Sequence, residues 1–123
     1  MGVDTHVIVE TSIDHGWEAI AEVYWWRASL LFGLIAGVRG GGPIIEPRGL
    51  PDNTSWKTER WREDGDLHSF TYLTREELKD IRSVFREKGM EWYGIEEDLN
   101  HDGLNRTIRL MNKNDRAVFG FDG

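Results

Sequence analysis

The side chains of this chain that could do chemistry are four histidines, twenty-two carboxylates and a set of basic residues dominated by Arg; there is no Cys. Asp4 and His6 fall at alternate positions of the segment from Val3 to Glu10, so in an extended chain they share one face. His68 sits in a second extended segment, with Ser69 beside it. If those segments are neighbours, Asp4, His6 and His68 converge. One carboxylate and two imidazoles suffice for a divalent metal or for general acid–base work, as in a small metal-dependent phosphoester hydrolase. The plainer alternative is that Asp4 and His6 make strand-edge hydrogen bonds while His68 is a half-buried ring with its partners. His15 and His101 lie in turn-like segments and read as solvated loop residues.

Two further constellations carry possible chemistry. Asp98-Leu99-Asn100-His101-Asp102-Gly103 opens like a calcium loop, with oxygen ligands at alternate positions and then Gly. The later positions depart from that pattern, with Asn105 where an apolar residue belongs and Arg109 where a bidentate Glu belongs, and Asp-Gly is also a common hairpin turn. The other constellation is Arg27, Arg39 and Arg48. Two of them bracket an apolar run, and the third lies in the proline-rich stretch Glu46-Pro47-Arg48-Gly49-Leu50-Pro51. Converging, they would bind an anion; separately, each would cap a nearby carboxylate or carbonyl. Asp52 at the end of that stretch, with His68 and Ser69, completes the expected binding set. Arg39 and Arg48 are expected to face one concavity whose wall is the loop 43–52 and the segment around His68. No metal motif of fixed spacing, nucleophile elbow or phosphate loop is present, since Gly40-Gly41-Gly42 runs into Pro43, which lacks a donor.

Positioning these groups falls to a few elements. Between Arg27 and Arg39 the chain carries no charge, although 30% of its residues are charged. At about 1.5 Å per residue this helix is roughly 17 Å long, too short to cross a bilayer, and a helix apolar on every face is buried on every face. It is the expected centre of the core. Before it, Val3 to Glu10 and Trp17 to Tyr24 read as a β-hairpin turned at Asp14-His15-Gly16. After it comes a stiff loop from Gly40 to Ser55. Asn53 or Thr54 would cap a short helix that puts Trp56 and Arg60 one turn apart. Leu67 to Tyr72 reads as a strand. Thr74-Arg75-Glu76-Glu77 is a capping box, opening a helix with Leu78, Ile81, Val84 and Phe85 on one face and a left-handed end at Gly89. Met90 to Leu99, Leu104 to Met111 and Arg116 to Phe121 are expected as a strand meander. The fold class is therefore α+β: a single domain, residues 1–123, with an antiparallel sheet packed against a buried apolar helix and a second amphipathic helix.

Composition narrows function. A net charge of −7 opposes general nucleic-acid binding, which needs a basic face, and suits a basic partner. The acids are interleaved with Arg and do not run in the stripes of a nucleic-acid mimic. Without Cys there are no disulfides, and the N-terminus lacks the basic region of a signal peptide, so a reducing compartment is expected. Six Trp promise a core or an interface built on large rings.

Several stretches, taken in order, resemble a known group: Met1-Gly2-Val3-Asp4-Thr5-His6, Leu31-Phe32-Gly33 with Ala36-Gly37-Val38-Arg39, Glu46-Pro47-Arg48-Gly49-Leu50-Pro51-Asp52, His68-Ser69 with Thr71-Tyr72-Leu73-Thr74, and Val118-Phe119-Gly120-Phe121-Asp122. They are similar to small uncharacterised proteins of tailed phages and prophages. That resemblance implies expression in the cytoplasm of an infected bacterium and carries no activity with it. The expected function is a non-enzymatic accessory binding protein that engages a host protein or a small anionic ligand, with no cofactor, nucleic acid or membrane. The alternative is the hydrolase on Asp4, His6 and His68, with a divalent metal.

Overall fold

The computed structural model describes residues 4–26, 28–38, 42–93 and 100–123. The hairpin forms as its alternation demands: β1 (Asp4–Ile13) pairs antiparallel with β2 (Gly16–Trp25), and Ile13 opposes Gly16 across the two-residue turn. Gly16 has φ +149°, backbone that an L side chain rarely adopts, and this fits its place at the turn. The remaining strands are β3 (His68–Thr74) and β4 (Arg116–Asp122). All pairings are antiparallel and the order is β2-β1-β4-β3, so β2 and β3 are the edges.

One face of the sheet carries Val7, Val9, Val23, Trp25, Leu73, Ala117, Phe119 and Phe121, all in the main core. Register explains this selection, because Val7 opposes both Val23 and Phe119, and directly opposed residues share a face. Three helices cover that face: α1 (Ser29–Ala36), the long helix 75–93 and the helix 102–110. Leu30 through Ala36 are all buried, so the charge-free helix is the central element. Its ring contacts include Phe32 edge-on to Phe121, with centroids 5.5 Å apart. Each such side chain taken from water contributes on the order of 1.5–3 kcal/mol. The helix is shorter than the apolar run, because Gly37 turns left-handed (φ 72°) and its N–H closes on the Gly33 carbonyl at 2.9 Å. Arg27 and Arg39 lie outside the described residues.

The opposite face is covered by a segment with a single turn, α2 (Trp56–Glu59), followed by a 3-10 turn at Arg60–Arg62. Ser55 is its N-cap, one residue beyond the expected Asn53 or Thr54, and accepts from Thr58 N–H at 3.2 Å. The capping box forms in full. Thr74 N–H donates to Glu77 at 2.9 Å and Glu77 N–H to the Thr74 hydroxyl at 3.2 Å, which opens α3 (Arg75–Tyr93).

The second half departs from the expected meander. Gly89 is helical and buried, and α3 continues to Tyr93. Met90 to Tyr93 is thus helix, and 94–99 lie outside the described residues. Leu104 to Met111 is not a strand but the body of α4 (Asp102–Leu110). The reason is a helical period: Leu104, Thr107, Ile108 and Met111 are buried on one side, while Arg106 and Arg109 are exposed. Asp102-Gly103 is therefore the first turn of a helix and not a hairpin. A Cβ on Gly103 would lie 2.7 Å from Cδ1 of Trp25, so the close approach of helix to strand requires Gly there. Asp98 lies outside the described residues, and Asp102 belongs to a helix, so the calcium-loop spacing does not correspond to a loop at its Asp-Gly end. Among the described residues, no helix is long and apolar enough to cross a membrane.

Candidate functional site

The residues expected to carry chemistry are dispersed. His6 Nε2 lies 2.8 Å from Asp122 Oδ2, and its ring is edge-on to Tyr24 at 5.8 Å. His6 opposes Gly120 and His68 opposes Phe121, so β4 lies between the two histidines. The His68 ring contacts the neighbouring Ser69 hydroxyl at 2.7 Å, and Ser69 holds φ 57° where the register slips. No three His, Asp or Glu side chains among the described residues are grouped to hold a metal ion. Arg48 is clamped. Its guanidinium grips both oxygens of Glu77 at 2.7 and 2.5 Å and donates to the Tyr72 carbonyl at 3.0 Å, and its backbone N–H donates to the Thr71 hydroxyl. The Glu77 hydrogen bond holds the Arg48 pKa above its ordinary value, and the Arg48 hydrogen bond holds the Glu77 carboxyl below the usual range. Asp52 is exposed. His101, expected in a solvated loop, caps α4: its Nδ1 accepts from Leu104 N–H at 3.1 Å, so Nε2 carries the proton donated to the Trp26 carbonyl at 2.6 Å. Burial against Trp25 and Phe32 lowers its pKa, and the bond to Trp26 offsets this only in part.

A different region gathers charge and aromatic surface. Glu10 is wholly buried, on the sheet face opposite the main core. One of its oxygens accepts from Ser55 N–H and the Thr58 hydroxyl, both at 2.7 Å; the other accepts from Arg116 Nε at 2.7 Å. Burial pushes the Glu10 carboxyl up, but the bonds from Ser55, Thr58 and Arg116 together outweigh it and hold the group charged, below its ordinary value. Arg116 also donates to the Asn53 carbonyl, and its guanidinium carbon lies over Trp17, 3.7 Å from the ring centroid. This network fastens the segment before α2 to the sheet, and so fixes where α2 stands relative to β2.

What α2 then presents is a groove. Trp56 is 75% exposed, with the Arg60 guanidinium 5.4 Å from its ring centroid, which realises the one-turn spacing of the sequence. Trp61 stacks on Phe70, and Lys57 reaches across to Glu22 of β2 at 2.8 Å. Two open cavities lie along this boundary. One of about 470 Å³ is lined by Ile13, Trp17, Glu18, Ala19, Ser55, Trp56 and Lys57. The other, of about 410 Å³, is lined by Glu22, Lys57, Arg60, Trp61, Glu63 and Asp64. Neither includes Arg48, Asp52, His68 or Ser69. Farther along β2, Tyr24 is 50% exposed and Trp26, just past the strand, 71%, with their rings edge-to-face at 6.3 Å.

Chemically, this surface can stack, bury apolar groups and pair with cations. Its sequence signals were the six Trp and the acids Glu18 and Glu22 spaced among Ile20 and Tyr24. Nothing in the sequence says that β2 is an edge. Set beside known proteins, the chain matches no protein-family model, no curated protein and no solved structure.

Proposed function

We propose that this chain is a non-enzymatic binding protein whose partner is another protein, met at the surface formed by β2 and α2. The observation that carries the reading is a pair of exposed indoles, Trp56 on α2 beside the hairpin end of β2 and Trp26 just past the other end of that strand. Large aromatic side chains left in water are the usual anchors of protein interfaces. Three groups able to do acid–base or anion chemistry are meanwhile committed to architecture: Glu10 to Arg116, Arg48 to Glu77, His101 to the start of α4. With Arg48 held by Glu77, a protein partner is favoured over a small anion. The resemblance to phage proteins makes a bacterial host protein the class to try first.

A photo-cross-linking residue placed at Trp56 or Trp26 tests this in bacterial extract. Both sites should yield the same discrete adduct, and the exposed Glu87 on α3 should not. Identical adducts from all three sites, or none from either Trp, would overturn the reading. So would hydrolysis of a phosphodiester in the presence of manganese that both His6→Ala and His68→Ala abolish.

A further inference from the structure

We propose that the outer edge of β2 accepts an extended, basic segment of the partner protein as a fifth strand, its side chains entering the groove beneath α2. This rests on the reading of the chain as a protein-binding module and names how that module recognises its partner. The two sheet edges are treated differently. β3 is closed off by the loop beside it: Gly49 N–H donates to the Phe70 carbonyl at 3.0 Å and the Arg48 guanidinium donates to the Tyr72 carbonyl. These are ways of blunting an edge against pairing. β2 runs for ten residues with one register slip against β1, between Ala19 and Ala21, and among the described residues no loop backbone bonds to Gly16 through Val23 outside the ladder with β1. An open edge offers N–H and C=O groups at the strand spacing, and flanking cavities can take alternate side chains of an added strand.

Charge selects the occupant. The two cavities are lined by four carboxylates (Glu18, Glu22, Glu63 and Asp64) against two cations. Both cations are engaged, Lys57 with Glu22 and Arg60 over Trp56. With Glu22 paired to Lys57, the carboxylates of Glu18, Glu63 and Asp64 still outnumber the remaining cation, so a strand carrying Lys or Arg meets a surplus of negative charge beside exposed indole surface, and the net charge of −7 draws it in. A second copy of this chain fits worse. Its own β2 bears only Glu18 and Glu22 as charges, and antiparallel self-pairing centred on Ile20 sets one against the other.

The test uses the intact chain and three short labelled peptides read by fluorescence anisotropy: alternating Lys and Val, alternating Glu and Val, and the Lys/Val peptide N-methylated along one edge. The first should bind at least about tenfold tighter than either of the others and should protect β2 amides from hydrogen exchange. Its affinity should fall about tenfold in the double variant Glu18→Lys, Glu22→Lys. Equal binding of the N-methylated peptide would mean attraction without strand addition and would overturn the proposal, because that peptide keeps the charge and loses the donors. Self-association abolished by Ile20→Lys would overturn it in favour of a second copy. If the cross-links at Trp26 and Trp56 persist while the peptides fail, the binding reading survives and only strand addition falls.

Discussion

At the scale of single residues, the decisive arrangement is a carboxylate that has no access to water. Glu10 is tolerable inside because three donors serve its two oxygens, and one of them, Arg116, also brings the opposite charge. Removing one member strands the other. Arg116→Met should cost about 3–5 kcal/mol in urea unfolding, the range for an orphaned buried charge, whereas adding Glu10→Leu to it should recover part of that loss. Additive losses would show that the two residues act independently. Arg48 is the weaker case, since its pair with Glu77 is partly exposed. The fork is nonetheless bidentate and also ties the loop to β3. Arg48→Ala should therefore destabilise by about 1–2 kcal/mol, more than an ordinary surface change, and Arg48→Lys should restore little because an ammonium cannot make both bonds. An Arg48→Ala protein with unchanged melting would return this residue to the list of binding groups.

Elements are where local sequence signals compete with packing. In α1 they agree: the run is free of charge and Leu30 to Ala36 are interior, and Leu34→Asp should abolish cooperative melting, since an unpaired buried charge costs several kcal/mol against a total of about 5–15. In α4 they conflict. Asp102-Gly103 reads as a turn, yet Gly103 is there because Trp25 presses on the first turn of a helix, its indole N–H donating to Thr107 at 2.9 Å. Gly→Ala in a helix ordinarily stabilises by about 1 kcal/mol. Here Gly103→Ala should lower the melting temperature and change the near-ultraviolet signal of Trp25. A stabilised variant would show that the contact yields easily. The hairpin, α1, the capping box and the exit strand Arg116 to Phe121 were legible because each rests on neighbours within a few residues. The helical period of Leu104, Thr107, Ile108 and Met111 was present too, but the stronger local cue of Asp-Gly masked it.

For the whole molecule, strand order was the missing information. Asp4, His6 and His68 could be drawn together on paper because nothing local says that β4 inserts between their strands, and Arg48 could be aimed at a ligand because Glu77 is far from it in sequence. Edge status, which makes β2 a surface, is equally a property of the finished sheet. The assembled fold also sets how the molecule answers to acid. His101 must be neutral to accept from Leu104 N–H, and its folded pKa is lowered by burial, so the unfolded chain binds its proton first as pH falls. Stability contributed by the neutral ring is whole above the unfolded value, about 6.5, and drains away as pH drops toward the folded one. Glu10 and Glu77 are also lowered, and being acids they are fully stabilising above about 4.3 and lose that contribution only below it. Chemical denaturation across pH should thus show a plateau near neutrality, a first decline beginning around pH 6.5 and a second, steeper one below about pH 4.3. His101→Asn, which keeps a capping side chain but cannot titrate, should erase the first decline and leave the second. A first decline that survives in His101→Asn would place its origin in another group.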